Sequence, residues 1–265
     1  MKIATFNVNG INGRIGNLLE WRAEAQPDVV CLQELKAPQE KFPAAALQKA
    51  GYGAIWHGQK AWNGVAILSL NETPREVGRV LPGDPDDEHS RFIEGETRGV
   101  RVASLYLPNG NPAPSAKFDF KLAWLKRFEA HANDLVSHTR PMVLAGDFNI
   151  IPTDLDVWAP DRWRNDALFR PEVRAAYQRL LSQGWIDAVR QVHPGERIYT
   201  FWKYFPAALA RNEGLRIDHL LVNAPLARLL KGAGVEQRVR HWEKSSDHAP
   251  TWIEIEGSPA GYRSD

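Results

Sequence analysis

The sequence has little sulfur and no long apolar run. Its only cysteine, Cys31, lies inside the apolar segment Val29-Val30-Cys31-Leu32, where a thiol acts as a small buried hydrophobe. A single cysteine cannot form a disulfide framework, so we expect a protein of a reducing cytoplasm. No run of 18 apolar residues exists, and the first residues are too polar for a secretion signal. We therefore expect a soluble, unexported protein without a membrane partner.

The motifs of several enzyme classes are also absent. The sequence contains no cysteine pair and no His-Glu-x-x-His spacing, which argues against a zinc site. It has no Gly-x-x-x-x-Gly-Lys-Ser/Thr loop for nucleotide phosphates and no Gly-x-Ser-x-Gly turn for a serine nucleophile. Hydrolysis by an activated water molecule is the chemistry that remains to be considered.

Neither sign of charge is in excess. The 265 residues include 33 Lys and Arg and 32 Asp and Glu, a formal net charge of +1, so the total does not indicate a nucleic-acid partner. The distribution is uneven, because residues 72–98 hold eight acids and four bases whereas residues 203–244 hold eight bases and four acids. This asymmetry could orient a polyanion, although an ordinary solvated surface is the simpler explanation when it is taken alone.

The order of apolar segments predicts an α/β protein. We predict strands at 2–7, 29–32, 52–56, 65–70, 92–96, 100–106, 142–145, 220–222 and 251–255. Helices are predicted at 42–50, from the cap Ser115 to about residue 135, and at 171–183, with another after the first strand. Strand meanders with helices between them indicate a four-layer α/β sandwich, two packed mixed β-sheets flanked by helices. We expect one domain at 1–256 and a tail at 257–265.

Polar residues stand at the ends of several apolar strands. A rigid sheet fixes side chains at strand ends and leaves them reachable, so ligand sites often gather there. Carboxylate and amide oxygens are the ligands that Mg²⁺ prefers. The sequence therefore predicts a group of acids and amides around a cation, drawn from Asn7, Glu34, Asp147, Asn149, Asp218 and Asp247.

Most of these polar residues, and three aromatic residues considered with them, have a structural explanation when each is taken alone. A turn, a helix start, a cap or a core position would account for Asn7, Glu34, Tyr106, Phe201, Trp202, Asp218 and Asp247. Asp147 and Asn149 differ, because a carboxylate and an amide two residues apart after a buried strand favour a functional role.

Eight short motifs follow one another along the chain. They are Phe6-Asn7-Val8-Asn9-Gly10, Leu32-Gln33-Glu34, Gly64-Val65-Ala66-Ile67-Leu68-Ser69, Tyr106-Leu107-Pro108-Asn109-Gly110, Gly146-Asp147-Phe148-Asn149, Thr200-Phe201-Trp202-Lys203-Tyr204, Gly214-Leu215-Arg216-Ile217-Asp218 and Ser245-Ser246-Asp247-His248-Ala249-Pro250. These motifs resemble those of exonuclease III and its abasic-endonuclease relatives, within a superfamily that also holds pancreatic deoxyribonuclease and inositol-phosphate phosphatases. The resemblance covers about residues 2–255. Any one motif is weak, but eight in the family order are a specific match.

The resemblance implies a Mg²⁺-dependent phosphodiesterase, with Mn²⁺ as a possible substitute, that cuts DNA on the 5′ side of an abasic site and also acts as a 3′-to-5′ exonuclease. Glu34 would be the principal metal ligand. The other members of the implied metal set are Asn7, Asp147, Asn149, Asp247 and His248.

The same resemblance implies the catalytic roles. Asp147, oriented by Asn149, would take a proton from the attacking water. Asp218 would hold His248 as an imidazolium that donates to the phosphate. Tyr106 would lie beside the phosphate, either as a phenol that donates a hydrogen bond or as a phenolate that assists the metal.

The implied substrate is double-stranded DNA with abasic sites or blocked 3′ ends, bound by a monomer. Phe201, Trp202 and Ile217 would line a small apolar pocket for a deoxyribose without its base, too small for an intact flipped nucleotide. Asn109 would lie near the DNA, and phosphates on either side would be held by Lys117, Lys121, Arg211 and Arg216.

Two departures leave the ratio of exonuclease to endonuclease activity open. Asn109 stands where many bacterial relatives have Gln, and Phe205-Pro206-Ala207 replaces a segment that commonly contains Arg.

Two other functions also remain open. A phosphatase or phosphodiesterase acting on a non-DNA ester would need a charged sugar-phosphate pocket, and an inactive DNA-binding module would need a lost catalytic residue.

Overall fold

The structure is a computed structural model that describes residues 1–137, 140–205 and 207–257. Pro206 and the expected tail beyond Gly257 lie outside the described residues. The strands, in chain order, are β1 (Lys2–Asn7), β2 (Val29–Gln33), β3 (Tyr52–His57), β4 (Val65–Leu70), β5 (Arg75–Gly78), β6 (Phe92–Thr97), β7 (Val100–Tyr106), β8 (Met142–Asp147), β9 (Ile186–Asp187), β10 (Asp218–Val222), β11 (Leu230–Val235) and β12 (Thr251–Ile255).

The helices are α1 (Ile11–Ala25), α2 (Ala44–Lys49), α3 (Ala116–Val136), α4 (Pro160–Trp163), α5 (Pro171–Ser182), α6 (Ala188–Val192) and α7 (Ala224–Ala227). Three 3-10 turns lie at Gln39–Lys41, Asp154–Asp156 and Gln237–His241. Ser115 caps α3 as predicted, because its hydroxyl accepts a hydrogen bond from the backbone N–H of Phe118. Within the described ranges, no helix combines the length and the apolar character needed to cross a membrane.

The strands form two six-stranded sheets. The first has the order β11-β12-β1-β2-β4-β3 and the second has the order β5-β6-β7-β8-β10-β9. Each sheet is mixed, because β1 and β2 pair in parallel in the first, β7 and β8 pair in parallel in the second, and the other pairs are antiparallel. The carboxyl ends of the two parallel pairs carry the residues of interest below.

Apolar layers hold the sheets and helices together. One cluster lies between the two sheets and includes Ile3, Cys31 and Val143. A second packs α1 and α2 against the outer face of the first sheet, and a third packs α3 and α5 against the outer face of the second. The four-layer α/β sandwich predicted from the sequence is thereby confirmed.

A short polar chain crosses the interior between the sheets. The Gln33 side chain accepts a hydrogen bond from Thr5 Oγ1 at 3.1 Å and donates to Ser104 Oγ at 3.2 Å. Ser104 in turn donates to the carbonyl of Leu32 at 3.2 Å. Because buried polar groups are costly without partners, these hydrogen bonds hold β2 and β7 in a fixed position relative to each other. They thereby place Glu34, which follows β2, close to Tyr106 at the end of β7.

Some predicted elements differ in extent. The helix predicted at 42–50 begins only at Ala44, because Phe42 precedes Pro43 and the residue before a proline disfavours helical backbone. The prediction omitted β5, β9 and β11. Gly232 and Gly234 weaken the strand pattern of β11, which is supported instead by the indole of Trp252 lying against both glycines.

Candidate active site

The ends of four strands from both sheets meet around one cavity. Asn7 ends β1, Tyr106 ends β7, and Asp147 ends β8 directly opposite Asp218, the first residue of the antiparallel strand β10. The cavity has a volume of about 240 Å³. Sheet topology therefore brings together side chains that are far apart in sequence, among them Glu34, Tyr106, Asp147, Asn149, Asp247 and His248.

Two carboxylates and an imidazole form the centre of the cavity. One ligand atom each from Glu34, Asp147 and His248 lies within 4.8 Å of the others. The amide of Asn7 joins the two acids, because its Nδ2 donates to Glu34 Oε1 at 2.9 Å and to Asp147 Oδ2 at 3.0 Å. Asp247 lies at the rim, where its Oδ1 accepts from Asn9 Nδ2 at 3.0 Å.

The two acids differ in ionisation. Burial opposes the charge on Glu34, but hydrogen bonds from Asn7 and Lys36 outweigh it and lower the Glu34 pKa; the Lys36 ammonium lies 2.8 Å from Glu34 Oε2. Burial raises the pKa of Asp147 to about 7, and the charges of Asp218 and Glu34 add to this rise against the opposing effect of His248. A divalent cation fits this set, because it would relieve the repulsion between the clustered carboxylates.

His248 is held by a carboxylate on its far nitrogen. Its Nδ1 lies 2.8 Å from Asp218 Oδ2, which also accepts a hydrogen bond from Thr200 Oγ1 at 2.6 Å. Its Nε2 faces Asp147 Oδ2 at 3.7 Å. Burial disfavours the imidazolium, yet the charges of Asp218 and Asp147 raise the His248 pKa to about 10. The ring is therefore protonated at neutral pH.

Tyr106 presents a neutral phenol. Burial raises its pKa well above the ordinary value, and the charges of Glu34 and Asp147 raise it further. The guanidinium of Arg91 stacks over the ring at 4.8 Å from its centroid and opposes this rise without reversing it. The sequence left open whether Tyr106 acts as a phenol or as a phenolate. Its raised pKa favours the phenol, which donates a hydrogen bond.

Asp147 is oriented by the turn that follows it. Its Oδ1 accepts the backbone N–H of Asn149 at 2.9 Å, and Asn149 adopts a left-handed backbone with φ of 48°. Asn149 Nδ2 donates to the Leu107 carbonyl and its Oδ1 accepts from Asn109 Nδ2, both at 2.9 Å. The amide thus ties the turn to the loop after β7.

Lys121 belongs to this support and not to a DNA surface. The side chain is fully buried, and its ammonium donates to the carbonyls of Asn149 at 2.6 Å and Asn109 at 3.0 Å. Its expected role as a phosphate contact is therefore wrong. Lys117, one helical turn earlier, is exposed at the start of α3 and does not line the cavity.

The prediction that Arg216 contacts a DNA phosphate is also wrong. The side chain is 1% exposed and lies between two buried acids, 2.6 Å from Asp156 Oδ1 and 2.8 Å from Asp187 Oδ2. These carboxylates raise its pKa against the effect of burial. Arg216 therefore stabilises the fold beneath the cavity, whereas Arg211 is exposed and paired with Glu213.

Of the predicted aromatic pair, only Phe201 lines the cavity. It is half-buried with its ring centroid 4.9 Å from that of His248, and Ile217 lies beside it in the wall. Trp202 is 1% exposed, packs on Tyr199 and donates its Nε1 hydrogen to Asn212 Oδ1 at 3.0 Å. Its expected contact with DNA is wrong, because successive residues of an extended segment point to opposite sides.

Several lining residues were missed by sequence reasoning. Lys203 lies within the Thr200-Phe201-Trp202-Lys203-Tyr204 motif, so its closeness in sequence to Phe201 could have indicated that it lines the cavity. Trp163, Asp166 and Leu168 come from the long segment after Asp147, where no motif marks them. A second groove of about 470 Å³ adjoins the cavity and shares Trp163, Phe201, Lys203 and Leu215 with it, among others.

Comparisons with known proteins show which family the chain resembles. Residues 4–248 match the model of the Endonuclease/Exonuclease/phosphatase family. Exodeoxyribonuclease III of Haemophilus influenzae is 36% identical over 267 residues, which cover 96% of this chain and 100% of the relative. The structure of an AP endonuclease from Archaeoglobus fulgidus has a TM-score of 0.93 and 38% identity, covering 97% of this chain and 100% of that one.

A Neisseria meningitidis protein, the 3′-5′ exonuclease NExo, is similar to the same degree. Its structure has a TM-score of 0.94 and 42% identity, covering 97% of this chain and 100% of that one. A further NExo structure, described as a 3′ phosphatase bound to a product DNA hairpin, has a TM-score of 0.93, 41% identity and the same coverage.

Proposed function

Because this chain belongs to the endonuclease/exonuclease/phosphatase family, in its exonuclease III and AP endonuclease group, we propose that it is a DNA repair nuclease that uses Mg²⁺. It cuts the backbone on the 5′ side of an abasic site and removes nucleotides or blocking groups from 3′ ends of double-stranded DNA. Mn²⁺ can replace Mg²⁺. The protein acts as a cytoplasmic monomer through one domain at 1–256.

One observation carries this proposal. Glu34, Asp147 and His248 converge within 4.8 Å, and the cavity that holds them also has an apolar wall at Phe201 and Ile217. The polar centre suits a phosphate with a hard cation, and the apolar wall suits a deoxyribose. A phosphate ester with a charged headgroup would leave that wall without a partner.

Glu34 would be the principal ligand of the cation, and Asn7 and Asp247 would take part directly or through its waters. When bound, Mg²⁺ would neutralise charge on the phosphate and stabilise the leaving 3′ oxygen. The partly buried Glu34 carboxylate has a lowered pKa and is ionised at neutral pH, as a metal ligand must be.

Asp147 serves as the general base. Its pKa of about 7 is matched to accepting a proton near neutral pH, and the Asn149 N–H holds its orientation. The water oxygen forms a new bond to phosphorus while the bond from phosphorus to the 3′ oxygen breaks, and the water proton moves to Asp147. The leaving 3′ oxygen takes up a proton from solvent, so the products are a 3′ hydroxyl and a 5′ phosphate.

His248 and Tyr106 bind the phosphate oxygens. Asp218 keeps His248 protonated through Nδ1, so that Nε2–H is free to donate as negative charge develops. Tyr106 donates from its neutral phenol. Both donors are fixed by the sheets before the substrate arrives, which limits reorganisation during the reaction.

The test uses two DNA duplexes with Mg²⁺ or with EDTA. One carries a single tetrahydrofuran abasic analogue, and the other is undamaged with a recessed 3′ end. We expect Mg²⁺-dependent incision on the 5′ side of the analogue, and the second duplex measures the exonuclease share. If neither duplex is cut while a small phosphodiester or an inositol phosphate is hydrolysed, the substrate assignment is wrong and the catalytic residues stand.

A further inference from the structure

The groove beside the cavity is lined mainly by aromatic and basic side chains, together with the acids Asp166 and Glu213. Arg162 lies over the ring of Trp158 at 5.0 Å from its centroid. The Lys203 ammonium lies 4.8 Å from the ring centroid of Trp163 and 6.0 Å from that of Phe205. Trp158 and Trp163 are half-buried, and Phe205 is 70% exposed.

The hydrolysis of a phosphodiester makes no use of this groove. The residues assigned to the metal, the base and the phosphate all lie in the neighbouring cavity. Exposed aromatic rings that carry cations are, however, the features with which proteins bind unpaired nucleotides, because bases stack on the rings and the cations attract the backbone. The groove therefore has the chemistry of a base-binding surface.

The groove and the cavity are connected through shared residues. Phe201 stands in both walls, and Trp163 and Lys203 also line both. A nucleotide whose phosphate and sugar lie in the cavity consequently has its base next to the groove. The cavity alone, about 240 Å³, suits a sugar without a base, and the groove adds about 470 Å³.

We propose that this groove binds the base of the nucleotide on the 3′ side of the cleaved phosphate. The base stacks on Trp163 and Phe205 while the sugar packs on Phe201. Nucleotides that carry a base use both compartments, whereas abasic nucleotides use only the cavity. This specificity rests on the proposed nuclease function. It allows an intact unpaired 3′ nucleotide, which is too large for the cavity alone, to bind as a substrate.

The first test compares two recessed duplexes that differ only in the last nucleotide, which is thymidine in one and the tetrahydrofuran analogue in the other. The same bond is cut in both. We expect Phe205→Ala, which changes only the groove, to lower kcat/KM about 10- to 100-fold for thymidine, the loss typical of one base stack, and to change it less than about twofold for the analogue. Trp163→Ala, which also changes the cavity wall, should lower kcat/KM more for thymidine than for the analogue. Trp163→Phe should retain most of the thymidine activity.

Trp56→Ala is the matched control. Trp56 is also half-buried and stacks on Phe42 at 4.5 Å, but it lies on the edge strand β3 of the first sheet. It should leave both substrates unchanged. Equal losses on the two substrates in the Trp163 variant, or no loss on either, would overturn the inference. A parent enzyme that cuts neither substrate would instead overturn the proposed nuclease function.

A binding measurement in EDTA separates stacking from turnover. With 2-aminopurine as the terminal base, the parent protein should quench the fluorescence on binding, because the base stacks on an indole. Trp163→Ala should bind the same DNA with much less quenching, while Trp56→Ala quenches like the parent. Equal quenching by all three proteins places the base elsewhere and rejects the groove as its site.

Discussion

At the scale of single residues, Glu34 and Asp147 share one cavity and yet have opposite tendencies to ionise. Glu34 has a cation, Lys36, against it, whereas Asp147 faces the acids Asp218 and Glu34 and lies in a buried position. An acid with a lowered pKa suits a permanent negative ligand, and one with a pKa near 7 suits a group that must gain and lose a proton. The two roles therefore follow from the surroundings of each side chain.

Replacement of Asp147 tests the base. Asp147→Asn keeps the size of the side chain and removes its ability to accept the proton, so we expect single-turnover cleavage to fall by about 10²- to 10⁴-fold. Asp154→Asn is the control, because Asp154 is exposed and lies outside the cavity. A variant at Asp147 that keeps most of its rate would remove this residue from the base role.

At the scale of elements, a buried ion-pair group joins the second sheet to the turn at Asp154–Asp156. Arg216 precedes β10, Asp187 ends β9 and Asp156 belongs to the turn. Arg190 also reaches Asp156 Oδ1, at 2.5 Å. Because β10 begins at Asp218, this group holds the strand that positions the partner of His248.

Removing the central cation of this group should weaken the fold. Arg216→Met leaves Asp156 and Asp187 without their shared buried partner, and breaking such a pair costs about 3–5 kcal/mol. Urea denaturation monitored by tryptophan fluorescence measures the change in unfolding free energy. Arg211→Met is the matched control and should not move the urea midpoint, because Arg211 is fully exposed. A small change in unfolding free energy in the Arg216 variant would instead support the predicted contact of Arg216 with a DNA phosphate.

His219 makes the same region sensitive to acid. Its Nε2 lies 2.9 Å from the Ile150 carbonyl, its Nδ1 faces Arg216, and burial together with the Arg216 charge lowers its pKa from 6.5 to about 4. In the unfolded chain the imidazole takes up a proton as the pH falls through 6.5, while the folded protein does not. The contribution of His219 to stability is therefore complete above this range and is lost toward pH 4.

The measurement is the unfolding free energy at pH values from 7.5 to about 4.5. Asp147, whose pKa is raised, contributes with the opposite sign in part of this range, so we compare each variant with the parent. As the pH falls, His219 should cost the parent up to about 1.4 kcal/mol of unfolding free energy per pH unit, and the His219→Gln variant should not show this loss. His241→Gln, at an exposed position, should keep the slope of the parent. Parallel curves for all three proteins would contradict this origin of the acid sensitivity.

At the scale of the whole molecule, the site exists only where the two sheets meet. Glu34 follows β2 and His248 precedes β12 in the first sheet, whereas Asp147 and Asp218 belong to β8 and β10 of the second. The segments Ala4-Thr5-Phe6-Asn7 and Ala145-Gly146-Asp147-Phe148-Asn149 are similar in sequence, and each includes the end of a strand that pairs in parallel with one neighbour. A cation at these ends would join the two sheets.

Mg²⁺ should accordingly stabilise the folded protein. A ligand that binds only the folded state adds about 2.7 kcal/mol at one hundred times its Kd, so the melting temperature should rise with Mg²⁺ at constant ionic strength. Glu34→Gln should abolish this rise, while Glu40→Gln, at an exposed position, should retain it. A Glu34 variant that still shows the full rise would place the cation elsewhere.

The sequence by itself determined the sandwich and the composition of its polar centre. Apolar segments of strand length specify the sheets, because burial of alternating or continuous apolar residues is the main favourable term in folding. Asn7, Glu34, Asp147 and Asp218 each stand beside such a segment, where an acid or amide has no purpose in a core. The structure brings them together, although their individual roles remain predictions.

Only the tertiary structure decided which cations and aromatic rings are available to a ligand. Arg216 pairs with Asp156, 60 residues away, and Lys121 bonds to the loop around Asn149, so their burial depends on partners that local sequence does not reveal. The same holds for the groove at Trp158 and Trp163, whose segment carries no motif. Side-chain charge and size are local properties, whereas exposure is set by contacts between distant parts of the chain.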